Sequence, residues 1–132
     1  MGRVIDRNLP SDPASLAQAR LLIDRSDLGE AASRERLKLA LTEVLGNAVR
    51  HGSPSGSQIL LRITERPGIV HVEVIDQGPC FERHEQRPTP GPGRGGFGLR
   101  VLEDVADTWA VERTSEGCVV SFDIATGAAF PA

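Results

Sequence analysis

The sequence predicts an α/β two-layer sandwich: a mixed, mainly antiparallel sheet covered on one face by three helices. Three observations carry this. Two runs, 59–64 and 70–75, alternate apolar and polar residues around the turn Arg66-Pro67-Gly68, which is a hairpin with one buried face. The stretch 30–51 repeats apolar residues at three and four (Leu37, Ala40, Leu41, Val44, Leu45, Ala48), the spacing of a core-facing helix. The element order reads βααββ, long loop, αββ, in which hairpins and helices pack as separate layers.

The remaining elements follow in chain order. Residues 3–9 form a first strand, which Pro10-Ser11-Asp12-Pro13 stops. Ser11 or Asp12 can cap the first helix, and Pro13 suits its first turn. That helix buries Leu16, Leu22 and Ile23 and ends near Gly29. Gly52-Ser53-Pro54-Ser55-Gly56 ends the second helix. A third helix covers 97–106, and strands 108–113 and 118–125 are joined by Thr114-Ser115-Glu116-Gly117. The Pro- and Gly-rich stretch before the third helix reads as a mobile lid, about 80–96, and 126–132 as a frayed tail. With 132 residues the chain reads as one domain, 1–132.

Composition excludes several function classes. A net charge of -3 gives no basic field for nucleic acid, and four Phe, one Trp and no Tyr give no stacking platform. No apolar run reaches the roughly 20 residues that span a bilayer, and the N-terminus lacks a signal-peptide core. A soluble, cytoplasmic protein is expected. Cys80 and Cys118 have neither CxxC spacing nor His companions, so free thiols are expected and zinc is not.

Three segments carry chemistry. Glu43 and Asn47 stand four apart on the second helix, about 40° apart around its axis, at the edge of its apolar stripe. The Asn47 carbonyl suits magnesium, and Glu43 can orient water or take a proton from a hydroxyl. The pair also fits an ordinary solvated helix face. Asp76 ends an apolar strand, followed by Gln77-Gly78-Pro79. Its carboxylate can accept a hydrogen bond from the adenine amine, and Gly78 leaves room for a flat ring. A simple Asx turn fits equally. Gly95-Gly96-Phe97-Gly98-Leu99 opens the third helix, whose free N–H groups and dipole suit phosphate, with Arg94 alongside; a glycine hinge has the same composition.

Taken in order, these segments resemble the ATP-binding superfamily of gyrase-type topoisomerases, Hsp90, histidine kinases and MutL. Residues 43–47 look like its N box, 76–79 like its first glycine box, and 96–99 like its second. Ser11–Arg20 and Gly98–Asp107 are similar to bacterial anti-sigma-factor serine kinases, and the likeness spans about 3–125. The resemblance implies the histidine-kinase-like ATPase fold. It implies a cytoplasmic homodimer that uses ATP and Mg2+ to phosphorylate a serine or threonine of a small antagonist protein. It also implies sequestration of a sigma factor or equivalent target, with no direct nucleic-acid or membrane partner. On this resemblance Glu43 is the general base and Asn47 the magnesium ligand. Asp76 and Gly78 hold adenine, and Arg94, Gly95, Gly96, Phe97, Gly98 and Leu99 hold phosphate. Arg20 matches a position that contacts the antagonist. Two positions depart from the pattern: Cys80 stands where relatives commonly have Gly, and Cys118 where they often have Thr. Alternatives are a nucleotide-binding sequestration module without phosphotransfer and a detached histidine-kinase catalytic domain.

Overall fold

A computed structural model describes residues 3–52, 56–78 and 97–126, with the backbone alone at 51–52 and 97–99. Five strands form one sheet in the order β1-β2-β3-β5-β4: β1 (Arg3–Pro10), β2 (Gln58–Arg66), β3 (Ile69–Asp76), β4 (Thr108–Thr114) and β5 (Gly117–Ala125). All four described pairings are antiparallel. The helices are α1 (Ala14–Ser26), α2 (Ala31–Asn47) and α3 (Phe97–Val105), with a single π-turn, Ala48–Gly52, extending α2.

Strand alternation decides which face of the sheet is covered. Ile59, Leu61 and Ile63 of β2, Val70, Val72 and Val74 of β3, and Val120, Phe122 and Ile124 of β5 all enter the core. They meet Leu37, Leu41, Val44 and Leu45 of α2, Ala19 and Ile23 of α1 and Leu102 of α3. On α1 the fully buried positions are Ser15, Ala19 and Ile23; the expected Leu16 and Leu22 are only partly buried.

The residues between face the other way. Arg62 is ion-paired to Asp6, Glu73 and Glu116 at 3.1, 3.5 and 3.7 Å. Asp123 accepts from Thr108 and bonds His71 Nδ1 at 2.7 Å. Solvated ladders of this kind contribute little each and mainly keep the open face polar.

Helix ends are fixed by identifiable contacts. The Ala14 N–H donates to Asp12 Oδ1 at 2.8 Å, so of the two expected capping residues Asp12 makes the bond. Asp27 is left-handed after α1 (φ 54°), as is Gly29 (φ 64°). A Cβ on Gly29 would stand 2.9 Å from the Thr126 methyl, so both backbone and space call for glycine there. Arg36 donates from α2 to the Val105 carbonyl at 3.1 Å and the Ala125 carbonyl at 2.7 Å, tying α3 and β5 to the central helix.

The lid expected at 80–96 and nearly all of the tail expected at 126–132 lie outside the described residues; Thr126 itself is buried, its N–H bonded to the Gly68 carbonyl. The free-thiol expectation is corrected: Cys118 is disulfide-bonded, and no described cysteine is free. Cys118 is buried at the start of β5, paired with Asp76 at the end of β3, a setting that local spacing does not reveal.

Candidate functional site

The site has two described halves. Asp76, the last residue of β3, is 6% exposed. Its Oδ1 accepts the Gly78 N–H at 2.7 Å, the Asx-type closure that Asp-x-Gly permits. Burial, the largest effect, pushes the Asp76 carboxyl above the usual carboxylate range; the Gly78 bond and the positive charge of Arg113 act the other way. The register explains why Arg113 matters. Asp76 pairs with Cys118 on β5, which pairs with Arg113 on β4, so the three form one cross-strand row.

This strand end is tightly packed. Gly117 has φ 135°, and a Cβ there would fall 2.3 Å from the Asp76 carbonyl oxygen. Gln77 Nε2 donates to the Glu116 carbonyl at 2.8 Å. The β4–β5 turn is thus held against the Asp76-Gln77-Gly78 segment, and the buried carboxylate sits in a fixed backbone frame.

The second half is the C-terminal end of α2. Glu43 is half-buried, and Asn47 lies one turn on as the last α-helical residue. The π-turn begins at Ala48, and π-turns within helices recur at functional sites. Arg50 folds back over Gly46, where a Cβ would lie 3.1 Å from its Nη1, and donates to Asn47 Oδ1 at 3.1 Å. The atom expected to bind magnesium therefore accepts a cationic donor here. Both α2 and the π-turn lie against β3, the strand that ends in Asp76.

The donor set suits a magnesium ion that arrives with nucleotide. One hard carbonyl oxygen is enough when phosphates and waters complete the shell. Among the described residues no cluster of three His, Cys, Asp or Glu side chains could hold a metal alone.

Of the other expected site residues, Gly78 is buried beside Asp76. The backbone of Phe97, Gly98 and Leu99 forms the first turn of α3. Arg94, Gly95 and Gly96 lie outside the described residues. Arg20 is exposed on α1, away from both halves in sequence. Two contributors were not anticipated. Arg113 reaches Asp76 only through pairing across three strands, which local spacing cannot reveal. Arg50 caps Asn47 three residues on, a helical neighbour spacing that could have flagged it.

No described helix is long and apolar enough to cross a membrane. A family profile described as histidine kinase-like ATPase domain matches residues 9–124. The fold is similar to the RsbU and RsbW domains of Rv1364c from Mycobacterium tuberculosis (TM-score 0.69, 15% identity, 93% of this chain and 32% of that one). It is also similar to the histidine kinase domain of the Erythrobacter litoralis EL346 blue-light activated histidine kinase (TM-score 0.55, 23% identity, 90% and 62%). A second structure of the Erythrobacter protein gives TM-score 0.57 at 23% identity, covering 89% of this chain and 42% of that one. The chain thus spans about a third of the Mycobacterium chain and less than two thirds of the Erythrobacter ones. No curated protein matches by sequence.

Proposed function

The chain belongs to the histidine kinase-like ATPase domain family, and from that premise we propose that it is an ATP-dependent serine/threonine protein kinase and partner-switching regulator. It transfers the γ-phosphoryl group of Mg-ATP to a hydroxyl of a small antagonist protein. Unphosphorylated antagonist and a sigma factor, or an equivalent target, compete for it. The active form is a cytoplasmic homodimer.

The observation that carries the nucleotide reading is Asp76: a buried carboxylate, held by Gly78, at the end of a core strand. One hydrogen bond, from Gly78, leaves a buried carboxylate with further acceptor capacity, so a ligand that donates to it is favoured. The adenine amine is such a donor, and Gly78 leaves the approach open. The kinase reading is supported by Glu43 and Asn47 together on α2, and by the likeness of 11–20 and 98–107 to anti-sigma-factor serine kinases.

The chain's residues divide the work. Asp76 selects and orients the base. Asn47, once released from Arg50, would supply one oxygen to a magnesium ion, which would neutralise phosphate charge. Glu43, one turn away, takes the proton of the attacking hydroxyl. Arg94 and the N–H groups at the start of α3 hold the phosphates. Positioning and charge neutralisation dominate such transfer. Exposed Arg20 presents the antagonist surface.

A second reading, a nucleotide-binding sequestration module without transfer, is favoured by one observation. Arg50 occupies the oxygen that magnesium needs. The test separates the two. Purified chain is titrated with Mg-ATP and Mg-ADP by calorimetry. It is then incubated with Mg-ATP and the small protein that co-purifies from the native cell, and phosphoserine or phosphothreonine is sought by mass spectrometry. Transfer that disappears in Glu43→Ala supports the kinase. Binding without transfer leaves the sequestration module, and absence of nucleotide binding overturns both.

A further inference from the structure

A groove of about 450 Å³ lies between the edge strand β1 and α1, and no residue of either half of the site lines it. The fold explains why it is there. α1 packs mainly on α2. At the corner that α1 shares with β1, Ser15 Oγ donates to the Pro10 carbonyl at 2.6 Å. Beyond that corner the two elements part, and Leu9, Leu21 and Leu22 floor the gap. Leu9 is buried, but Leu21 is 46% exposed, an apolar side chain left to water. Two cations border this floor, Arg7 from β1 and Arg25 from α1. Arg7 pairs with the core residue Leu61, so it lies on the helix-covered face of the sheet. Its guanidinium donates to the neighbouring Asp6 carbonyl at 2.9 Å. The ion pairs among the described residues engage neither Arg7 nor Arg25.

β1 is the first strand of the sheet, so among the described residues no strand lies along its outer edge. Such an edge presents unpaired N–H and C=O groups, and an inward charge on it discourages pairing with a wholly apolar strand. We propose that this groove receives an extended acidic segment of a partner protein, which adds to β1 as a further strand. Main-chain hydrogen bonds along β1 hold the segment, and its inward side chains, two residues apart, give specificity. A carboxylate meets Arg7 and Arg25 in charge-assisted bonds, and an aliphatic side chain covers Leu21. The acid comes from another protein, because no carboxylate is among the residues lining the groove. A two-fold contact with a second copy, centred on the groove, would set the basic pair against itself. The surface is also distinct from the one assigned to the antagonist. Arg20 is two residues from both Gln18 and Leu22, and so about 160° from each around the axis of α1. Nothing in the proposal depends on nucleotide binding.

The experiment uses the full chain, isotope-labelled for amide NMR, and two end-blocked synthetic peptides. In one peptide Leu and Glu alternate at the inward positions and Thr fills the outward ones. In the other, Lys replaces Glu. The Glu peptide is expected to shift the amides of residues 3–10 and 18–26, and to bind about tenfold more tightly than the Lys peptide. High salt should weaken it about fivefold. Arg7→Glu combined with Arg25→Glu should reverse the preference, so that the Lys peptide binds the more tightly. A purely structural role for either arginine would not give that reversal. Both side chains are exposed, so the Tm of the double variant should stay within about 2 °C of wild type. Should it melt lower, Arg25→Ala replaces it and is expected to bind the Glu peptide about fivefold more weakly.

No amide shift at millimolar Glu peptide overturns the docking site, and so do shifts confined to other elements. Equal affinity for the two peptides overturns the charge matching that selects the partner. An unreversed preference in a folded double variant, or unchanged binding in Arg25→Ala, does the same. If the amides of 3–10 and 18–26 shift with the concentration of the chain alone, a second copy fills the groove and the proposal fails.

Discussion

The two halves of the site differ in how they are built. The Asp76 half is a tertiary object: three strands, a glycine pressed against a carbonyl, and a disulfide. The Asn47 half is a helical object, made by residues three and four apart on one helix and closed by a hydrogen bond between exposed groups. The first is buried and crowded, the second open. Damage to the first should therefore propagate into folding, while damage to the second should remain local to the chemistry.

The strongest way to break this contrast is Gly117→Ala. The added methyl cannot coexist with the Asp76 carbonyl oxygen, and φ 135° disfavours any side chain. A loss of about 3 kcal/mol in urea unfolding is expected. Wild-type stability would mean that this strand end tolerates rearrangement and that the base half is not rigid.

Next comes Asp76→Asn, which should weaken Mg-ATP roughly 100-fold, since a carboxamide presents a donor where the adenine amine needs an acceptor. Stability should move the other way, with Tm rising by about 3 °C, because a buried charge is removed. Calorimetry and thermal melting read both.

The pH response of the wild-type chain sharpens the same point. The Asp76 carboxyl has a folded-state pKa above its unfolded one, because burial outweighs the Gly78 bond and Arg113. Between those two values the native state holds more proton than the unfolded chain. This group's contribution to stability therefore falls as pH rises through that window, and Mg-ATP affinity rises over it. Comparing wild type with Asp76→Asn across the acid range isolates both trends, and identical profiles would assign them elsewhere.

The smallest effects belong to the helical half. Asn47→Ala should change Tm by no more than about 2 °C, since it removes one exposed hydrogen bond. It should reduce the magnesium dependence of ATP binding roughly tenfold. Arg50→Ala should strengthen Mg-ATP by only about twofold, by freeing Asn47 Oδ1. A large destabilisation by either would erase the difference between the halves.

Much of this was legible in the residues. Strand alternation at 59–64 and 70–75 placed the buried face, and helical spacing at 37–49 placed the core stripe. Those periodicities are local consequences of how side chains leave a helix or strand. Glu43 and Asn47 could be paired on spacing alone. Helix ends were less legible: Leu16 and Leu22 look like core residues of α1, yet Ser15 is fully buried while they are not. The packing angle of the helix on the sheet, and not hydrophobicity, decides that.

The amino-acid sequence by itself determined the element order, the inward face of each element and the identity of the chemical groups, because these follow from short-range geometry. Tertiary structure alone decided the strand order β1-β2-β3-β5-β4. It thereby decided that Cys118 and Arg113 would stand beside Asp76, that Gly117 would touch its backbone, and that Cys118 would not be free. Cross-strand neighbours lie about 40 residues apart in sequence here, and antiparallel pairing, which no local spacing encodes, brings them within side-chain reach.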